Sequence, residues 1–217
     1  MFGENGEAEY AGEPAAVDRA YIPPEEFTRL HFKGTTLDEL VEFGIKNKEY
    51  FDKNISKSDL DFYKPPALTE FKKAGIKGKH FFGYYKKWTP QENFFYAAEN
   101  TGFQPNPERT EGTYSKYASI DDKLDGMHYY MKYIKFGFAR ATDDASHEVR
   151  DGHITREEAI SLIKRYDGEF PKKYFNDFLN YLNITSADFW DVVDSWRPPH
   201  LWTKESNQWK LKKTIFE

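Results

Sequence analysis

Residues 108–158 read ERTEGTYSKYASIDDKLDGMHYYMKYIKFGFARATDDASHEVRDGHITREE, and they contain a clear helical pattern. Apolar residues recur at helical spacing and predict one buried face: Ile120, Leu124, Met127, Met131 and Ile134. Ser119, followed three residues later by Asp122, predicts the start of this helix as a capping box. Gly137 predicts its end. The stretch therefore favours a fold that is built mainly of helices.

A charged stripe lies one position along from that apolar face. Its members place acids at the N-terminal end and bases at the C-terminal end, the order that the helix dipole favours: Asp121, Asp125, His128, Lys132 and Lys135. From spacing alone, a half-buried helix with a solvated flank is a better interpretation than a binding face.

The residues after Gly137 are polar with little apolar interruption. Thr142 predicts the cap of a short helix that holds Asp143 and Asp144 in its first turn. Residues 108–114, before the first helix, form a polar loop without apolar periodicity. Polar residues between ordered helices favour a site for a polar ligand such as a sugar or a phosphate.

Composition excludes several classes of protein. The chain has 217 residues, 18% of them aromatic, which is enough for a sizeable core. The formal net charge of −5 argues against nucleic acid as a partner. Cysteine is absent, so there is neither a disulfide framework nor a thiol nucleophile. No apolar run approaches membrane-spanning length and the first residues do not resemble a signal peptide, so we expect a cytoplasmic protein without a membrane span.

Further helix starts are predicted elsewhere in the chain. Capping boxes or an N-terminal proline mark four of them: Thr36 with Glu39, Thr89 with Pro90 and Glu92, Thr155 with Glu158, and Thr185 with Asp188. Pro171 predicts a fifth. The aromatic run HFFGYY at residues 80–85 predicts a strand, and residues 201–211 predict a hairpin around Ser206 and Asn207.

Metal sites find little support in the sequence. DGHITREE resembles part of a calcium loop, but His147 and Val149 fall where carboxylates are needed, so calcium is rejected. The histidines lack zinc spacing. The pairs Asp121-Asp122 and Asp143-Asp144 suit magnesium, although acids at helix starts are common without a metal. The neighbouring arginines fit phosphate binding and structural ion pairs equally well: Arg109, Arg140, Arg150 and Arg156.

Four segments together resemble the N-acetyl sugar amidotransferases of lipopolysaccharide O-antigen and flagellin-glycan biosynthesis, members of the PP-loop (N-type ATP pyrophosphatase) superfamily. They are FGENGEAEYAG near the start, residues 108–159, KRYDGEFPKKY, and the final RPPHLW. The resemblance covers most of residues 78–202 and the first dozen residues, and it is weak over residues 21–76.

The resemblance implies an activity. Such enzymes convert the acetamido group of a nucleotide-linked sugar, such as a UDP-N-acetyl sugar, into an acetamidino group. ATP, with Mg²⁺, adenylates the amide oxygen, and ammonia then displaces AMP. A glutaminase subunit supplies the ammonia, and a second, synthase-like subunit channels it. All of these cofactors and partners are implied by the resemblance.

One departure from the family is large, because the SGGxDS-type PP-loop segment does not occur in residues 1–217. The chain therefore resembles the C-terminal helical region of an α/β, HUP-like PP-loop enzyme, and we expect it to be inactive alone. We expect a loop leaving the nucleotide-binding sheet at 1–24, a helical insert at 25–76 and a helical C-terminal domain at 77–217. A non-catalytic scaffold that docks the partner subunits is the alternative, and a generic sugar-nucleotide binder is a weaker one. We also expect self-association.

The predicted site is the polar loop together with the charged residues near the first helix. The predicted substrate-binding residues are Arg109, Glu111, Thr113, Tyr114, Asp121 and Asp143. Lys135 and Arg140 are the predicted catalytic residues, because a cation stabilises phosphate and the negative charge that develops during adenylation. No protein-bound metal is predicted; Asp121 and Asp143 would orient these bases or a magnesium ion.

Overall fold

The computed structural model of the chain describes residues 19–26, 35–46, 57–64 and 66–216. Two compact units divide the chain, Met1–Trp88 and Thr89–Glu217. The described residues form mainly helices, with two antiparallel sheets of two strands each. The prediction of a mainly helical fold with one or two short β elements is therefore confirmed. Most of the loop predicted at 1–24 lies outside the described residues.

In the first unit, strand β1 (Tyr21–Ile22) pairs with β2 (Lys79–His80). Helices α1 (Leu37–Lys46), α2 (Leu68–Lys73) and α3 (Phe82–Tyr85) accompany two 3₁₀ segments, Pro24–Glu26 and Lys57–Tyr63. The predicted capping box starts α1: Thr36 N–H donates to Glu39 Oε2 at 2.7 Å, and Glu39 N–H donates to Thr36 Oγ1 at 3.2 Å.

The strand predicted for HFFGYY is wrong beyond its first residues, because residues 82–85 form the helix α3. The helical turn brings the His80 and Tyr85 rings together: His80 Nδ1 lies 2.8 Å from the Tyr85 hydroxyl, and the rings stack. Alternation along a strand would place these two side chains on opposite faces. The local aromatic contact is therefore compatible with the turn and not with the strand.

The second unit contains six helices and one hairpin among the described residues: α4 (Pro90–Thr101), α5 (Asp125–Phe136), α6 (Arg140–Asp151), α7 (Arg156–Tyr166), α8 (Phe175–Leu182), α9 (Ser186–Ser195), β3 (Trp202–Glu205) and β4 (Gln208–Leu211). The predicted starts of α4, α7 and α9 are confirmed, with the complete capping box present at α7 and α9. The hairpin is confirmed, with Ser206 and Asn207 at φ of 46° and 64° in its turn.

The predicted start of α5 is wrong, because the helix begins at Asp125 and not after Ser119. An N-cap residue has an extended backbone, whereas Ser119 has a left-handed φ of 51°. Asp122 instead accepts a hydrogen bond from Leu124 N–H at 2.7 Å, a local turn that competes with helix. Residues 119–124 therefore form an irregular segment in front of the helix.

Two other predicted helix starts lie near a carboxylate that is distant in sequence. Helix α6 begins at Arg140, so Thr142 is not its cap; Asp167 accepts hydrogen bonds from Ala139 N–H at 2.9 Å and Thr142 N–H at 3.2 Å. Helix α8 begins at Phe175 and not at Pro171. Before it, Lys172 and Lys173 donate their backbone N–H groups to Glu111. The cap of α6 is remote in sequence, and α8 begins only after the residues whose N–H groups Glu111 accepts from.

The core of the second unit lies between α5, α9 and the hairpin. Its buried members are Met127, Tyr130 and Ile134 of α5, Phe189 and Val193 of α9, and Trp202 of β3. The indole N–H of Trp202 donates to the carbonyl oxygen of Ile134 at 2.7 Å. Because a buried indole N–H needs a partner, this bond fixes the hairpin against the C-terminal half of α5. Near the N-terminus of α5, Gly126 and Met127 line a cavity.

Candidate functional site

A cavity of about 660 Å³ lies beside the start of α5. Three segments line it: the loop 106–111, the irregular segment 119–123 with Gly126 and Met127 of α5, and residues 171–174 before α8. Its charged lining residues balance, with four carboxylates and four cations: Glu108, Glu111, Asp121 and Asp122, and Arg109, Lys123, Lys172 and Lys173. The volume is within the range of small-molecule sites, about 300–1,000 Å³.

Arg109 fixes the loop to the segment that follows α7. Both of its terminal nitrogens donate to the Glu169 carboxylate at 2.6 Å, and its guanidinium lies 4.6 Å from the centre of the Tyr166 ring. Gly112 N–H donates to the same carboxylate at 2.8 Å. Burial alone raises the pKa of Glu169, but the bonds from Arg109 and Gly112 outweigh it and lower that pKa. The charge of Arg109 is therefore engaged within the protein.

Glu111 fixes the other side of the same loop. Its two carboxylate oxygens accept hydrogen bonds from the backbone N–H groups of Lys172 at 3.0 Å and Lys173 at 3.1 Å. Together, Glu111 and Glu169 connect the loop to residues 169–173 through five hydrogen bonds of 2.6 to 3.1 Å. The wall of the cavity is consequently held in one arrangement.

A second polar region, which we call the Asp144 cluster, consists of Thr113, Arg140, Asp144 and Glu148. Asp144 accepts hydrogen bonds from the buried Thr113 hydroxyl at 2.6 Å and from Arg140 Nε at 2.7 Å. Burial and the neighbouring Asp144 charge raise the pKa of Glu148. None of these four residues is part of the cavity lining.

Two tyrosines adjoin the Asp144 cluster. Burial, followed by the charges of Glu148 and Asp144, raises the pKa of Tyr114, and the same causes raise the pKa of Tyr117 to about 12. Both phenols are therefore protonated at neutral pH. They are neutral groups beside the two carboxylates and not anions.

A chain of hydrogen bonds connects the Asp144 cluster to the cavity. Arg140 Nη1 donates to the Tyr129 hydroxyl at 3.3 Å, and the Tyr129 hydroxyl is hydrogen-bonded to the hydroxyl of Ser119. Tyr129 is 5% exposed, whereas Ser119 lines the cavity. The buried cluster thereby reaches the cavity through one side chain.

The structure places the eight residues of the predicted site in different surroundings. Arg109, Glu111 and Asp121 line the cavity, and Thr113 and Arg140 belong to the Asp144 cluster, beside Tyr114. Asp143 is paired with Lys132. Lys135 is exposed, with its ammonium 5.0 Å from the centre of the Trp196 ring. The substrate-binding and catalytic roles of all eight residues remain predictions.

Sequence reasoning missed three residues that shape this region: Glu169, Tyr129 and Ser119. Glu169 lies within the KRYDGEFPKKY segment, but no local pattern pairs it with an arginine 60 residues earlier. Tyr129 looks like part of the apolar core. Ser119 carried a signal that was interpreted as a helix cap, although its neighbour Ile120 is exposed rather than buried.

A magnesium site requires several oxygen donors converging on one point. Among the described residues, no three histidine, aspartate or glutamate side chains are placed to hold a metal ion. The lining of the cavity therefore does not fit a metal bound by the protein alone.

Residues 111–215 match a family model described as "LPS biosynthesis protein WbpG-like, C-terminal domain". This segment contains α5 to α9, the hairpin and much of the cavity lining. The match supports a C-terminal region of a lipopolysaccharide (LPS) biosynthesis protein. No curated protein matches the chain. Within the described part of the chain, no helix has the length and apolarity needed to cross a membrane.

Proposed function

We propose that this chain supplies the sugar-binding part of an ATP-dependent amidotransferase of lipopolysaccharide biosynthesis. The substrate is a nucleotide-linked N-acetyl sugar whose acetamido group becomes an acetamidino group. The observation that carries the proposal is the cavity, because most of its lining falls inside the segment that matches the lipopolysaccharide biosynthesis family model.

The cavity lining suits a sugar nucleotide. Carboxylates accept hydrogen bonds from sugar hydroxyl groups, and lysines bind phosphate as point charges. Lys123 and Lys173 both lie near the ring of Tyr174, at 5.4 Å and 5.3 Å from its centre. The polar residues are combined with the apolar surfaces of Met127 and Pro171. A ligand with hydroxyls, phosphates and one small apolar group complements this set.

The roles of the chain's own residues are to bind and orient. Glu111 and Glu169 hold the loop 106–111 in place, and Lys123, Lys172 and Lys173 contact the phosphates. ATP transfers its AMP group to the amide oxygen and releases pyrophosphate, and ammonia then forms the new C–N bond as AMP leaves; the SGGxDS segment that would hold ATP is not in residues 1–217. Glutaminase and channel subunits supply the ammonia. A rigid wall matters because misplacing a reacting amide by about 1 Å costs about a hundredfold in rate.

The test joins the chain to a nucleotide-binding half that carries an SGGxDS segment. The joined protein is incubated with ATP, Mg²⁺, ammonium and UDP-N-acetylglucosamine. We expect AMP, pyrophosphate and a sugar product in which NH replaces one oxygen, measured by mass spectrometry. We expect residues 1–217 alone to release no pyrophosphate. Absence of the amidino product from the joined, folded protein would contradict the proposal.

Two lysine variants distinguish the loss of a contact in the cavity from a general loss of positive charge. Lys123 lines the cavity, and Lys164 is exposed on α7 outside it. We expect Lys123→Ala to raise KM for the nucleotide sugar about tenfold, as expected for one charged hydrogen bond. Lys164→Ala removes the same charge and should leave KM unchanged. Equal effects of the two substitutions would point to the overall charge and not to the cavity.

The second candidate is a non-catalytic scaffold that docks the glutaminase and channel subunits. Exposed aromatic residues on α8, on α9 and directly after α9 favour it: Tyr181 is 74% exposed, Trp190 40% and Trp196 50%. Aromatic side chains are enriched at protein interfaces. Under this alternative, Tyr181→Ala and Trp196→Ala abolish co-sedimentation with the partner subunits, while Lys123→Ala has no effect on any measured property.

A further inference from the structure

Ser119 combines two unusual properties at the wall of the cavity. Its backbone φ is 51°, in the left-handed region that residues other than glycine, asparagine and aspartate rarely adopt. Such a conformation persists only where the surroundings hold it, and it is found most often at functional positions. Its side-chain hydroxyl is hydrogen-bonded to the hydroxyl of the buried Tyr129. The unusual backbone thus accompanies a side chain with a defined partner.

The direction of the hydrogen bonds follows from Arg140. A guanidinium only donates, so the Tyr129 oxygen accepts from Arg140 Nη1. The hydrogen of this buried phenol then needs an acceptor, and among the described residues the Ser119 oxygen is the one in reach. Burial raises the pKa of Tyr129, so the phenol keeps this hydrogen at neutral pH.

Ser119 is left with its own O–H hydrogen. Within the described part of the chain, that hydrogen has no acceptor, since the bond with Tyr129 is the one hydrogen bond of the Ser119 hydroxyl there and uses the phenol's hydrogen. Ser119 is half-buried and lines the cavity, so the hydrogen is available to a bound molecule. The chain from Arg140 through Tyr129 therefore makes Ser119 a donor toward the cavity.

The residues around Ser119 indicate which kind of ligand group would accept a hydrogen bond from its hydroxyl. Asp121 and Asp122 follow it on the same wall, and their negative charges disfavour an anionic phosphate oxygen. Ile120, Met127 and Pro171 provide apolar surface in the same cavity. A neutral carbonyl oxygen with a methyl group beside it fits both observations. This is the chemistry of an N-acetyl group.

We propose that Ser119 donates a hydrogen bond to the carbonyl oxygen of the N-acetyl group of a sugar in the cavity. Tyr129 and Arg140 are positioning residues, which set the direction of that donor without contact with the ligand. The choice of an N-acetyl sugar rests on the proposed function; the direction of the Ser119 donor rests on the hydrogen-bond chain alone.

The test is a binding measurement with two ligands that differ at one group. Isothermal titration compares UDP-N-acetylglucosamine with UDP-glucose, which has a hydroxyl in place of the acetamido group. Ser119→Ala removes the hydroxyl, and Ser119→Gly removes it while allowing the left-handed backbone. Both variants should bind the N-acetyl ligand about three- to tenfold more weakly, as expected for one neutral hydrogen bond, and bind UDP-glucose as before.

Tyr129→Phe tests the positioning role, because it leaves Ser119 in place but removes the hydrogen that directs it. We expect a smaller loss that is again confined to the N-acetyl ligand, which a merely structural role of Tyr129 would not produce. Ser161→Ala is the matched control: Ser161 is exposed on α7 and bonds to the Glu157 carbonyl outside the cavity. It should bind both ligands as the unaltered chain does.

Three outcomes overturn the inference: no binding of either ligand at millimolar concentration, equal losses for both ligands, or unchanged binding by both Ser119 variants. The proposed function fails separately. If the joined enzyme forms no amidino product while the N-acetyl preference depends on Ser119, the function is wrong and the inference stands. If the product forms at the same KM in Ser119→Ala, the function stands and the inference is wrong.

Discussion

The cavity and the Asp144 cluster contain similar residue types, but they satisfy their charges differently. In the cavity wall, Glu111 accepts from backbone N–H groups, as does Glu169 behind the loop, and six other charged lining residues are exposed. In the cluster, Arg140 and Asp144 pair with each other, and the side chain of Asp144 is only 17% exposed. The comparison teaches that the density of polar residues does not distinguish a binding site from a structural network. A binding site and a structural network are distinguished instead by access to solvent and by the identity of the hydrogen-bonding partners.

The largest expected effect comes from breaking the cluster. Arg140→Ala leaves the Asp144 carboxylate without its charged partner, so we expect a loss of about 2–3 kcal/mol in the free energy of unfolding. Urea denaturation measures it. Lys135→Ala is the control and should change stability by less than about 0.5 kcal/mol, since Lys135 is exposed. Full stability of Arg140→Ala with greatly reduced turnover in the joined enzyme would instead support the catalytic role predicted for it.

The second effect comes from loosening the cavity wall. Glu169→Gln weakens the bonds from Arg109 and Gly112, and we expect a loss of about 1–2 kcal/mol at pH 7. The folded-state pKa of Glu169 is lowered. Its contribution is therefore present above the unfolded pKa of about 4.3 and is lost as the pH falls through the folded pKa. Urea midpoints between pH 7 and 3 should converge for the two proteins at acid pH, and a constant difference would contradict this assignment.

The third expected effect is a gain in stability, opposite in sign to the first two. The pKa of Glu148 is raised, first by burial and then by Asp144. The folded state then binds more protons than the unfolded state between the two pKa values, so stability decreases as the pH rises through that interval. Glu148→Gln removes the charge, and we expect a higher urea midpoint at pH 7 that disappears below about pH 4, where the unfolded carboxyl is protonated. A lower midpoint at pH 7 would show that the Glu148 charge stabilises the fold.

The smallest stability effect is expected at the rim of the cavity. Lys123 is paired with Asp177 at 3.5 Å, with 66% and 53% of the two side chains exposed. Lys123→Ala should change the free energy of unfolding by less than about 0.5 kcal/mol, since exposed pairs contribute little. Thermal unfolding of Lys123→Ala beside Lys164→Ala checks this. A large loss of stability for Lys123→Ala alone would show that Lys123 stabilises the fold and does not serve mainly in binding.

How far the sequence predicts the fold depends on the distance to the capping group. The starts of α1, α4, α7 and α9 are set by residues within three positions, and all four were predicted. The start of α6 depends on Asp167, which lies 25 residues from Thr142, and the residues before α8 bond to Glu111, which lies 62 residues from Lys173. A local pattern contains no information on such a partner, because the fold has to bring it there.

The same limit applies to the candidate site. Arg109, Glu111 and Asp121 were found because a polar loop beside a helix is recognisable in sequence, and all three line the cavity. Glu169 and Tyr129 carry no local signal, since their partners are in other segments. Ser119 carried a misleading local signal, because it was interpreted as a helix cap. The serine and aspartate of a capping box are also the residues of irregular turns, and the left-handed backbone of Ser119 selects the turn.

The bond between Trp202 and Ile134 has a practical consequence. The indole of Trp202 is 5% exposed and lies 4.5 Å from the Arg197 guanidinium, and its N–H bond is to α5, the helix that also lines the cavity through Gly126 and Met127. A buried tryptophan between a cation and a carbonyl has an emission spectrum that differs from that of a solvated one. Trp202, on strand β3, is thus a built-in fluorophore hydrogen-bonded to the helix that lines the cavity, and unlabelled protein carries its own optical readout for titrations.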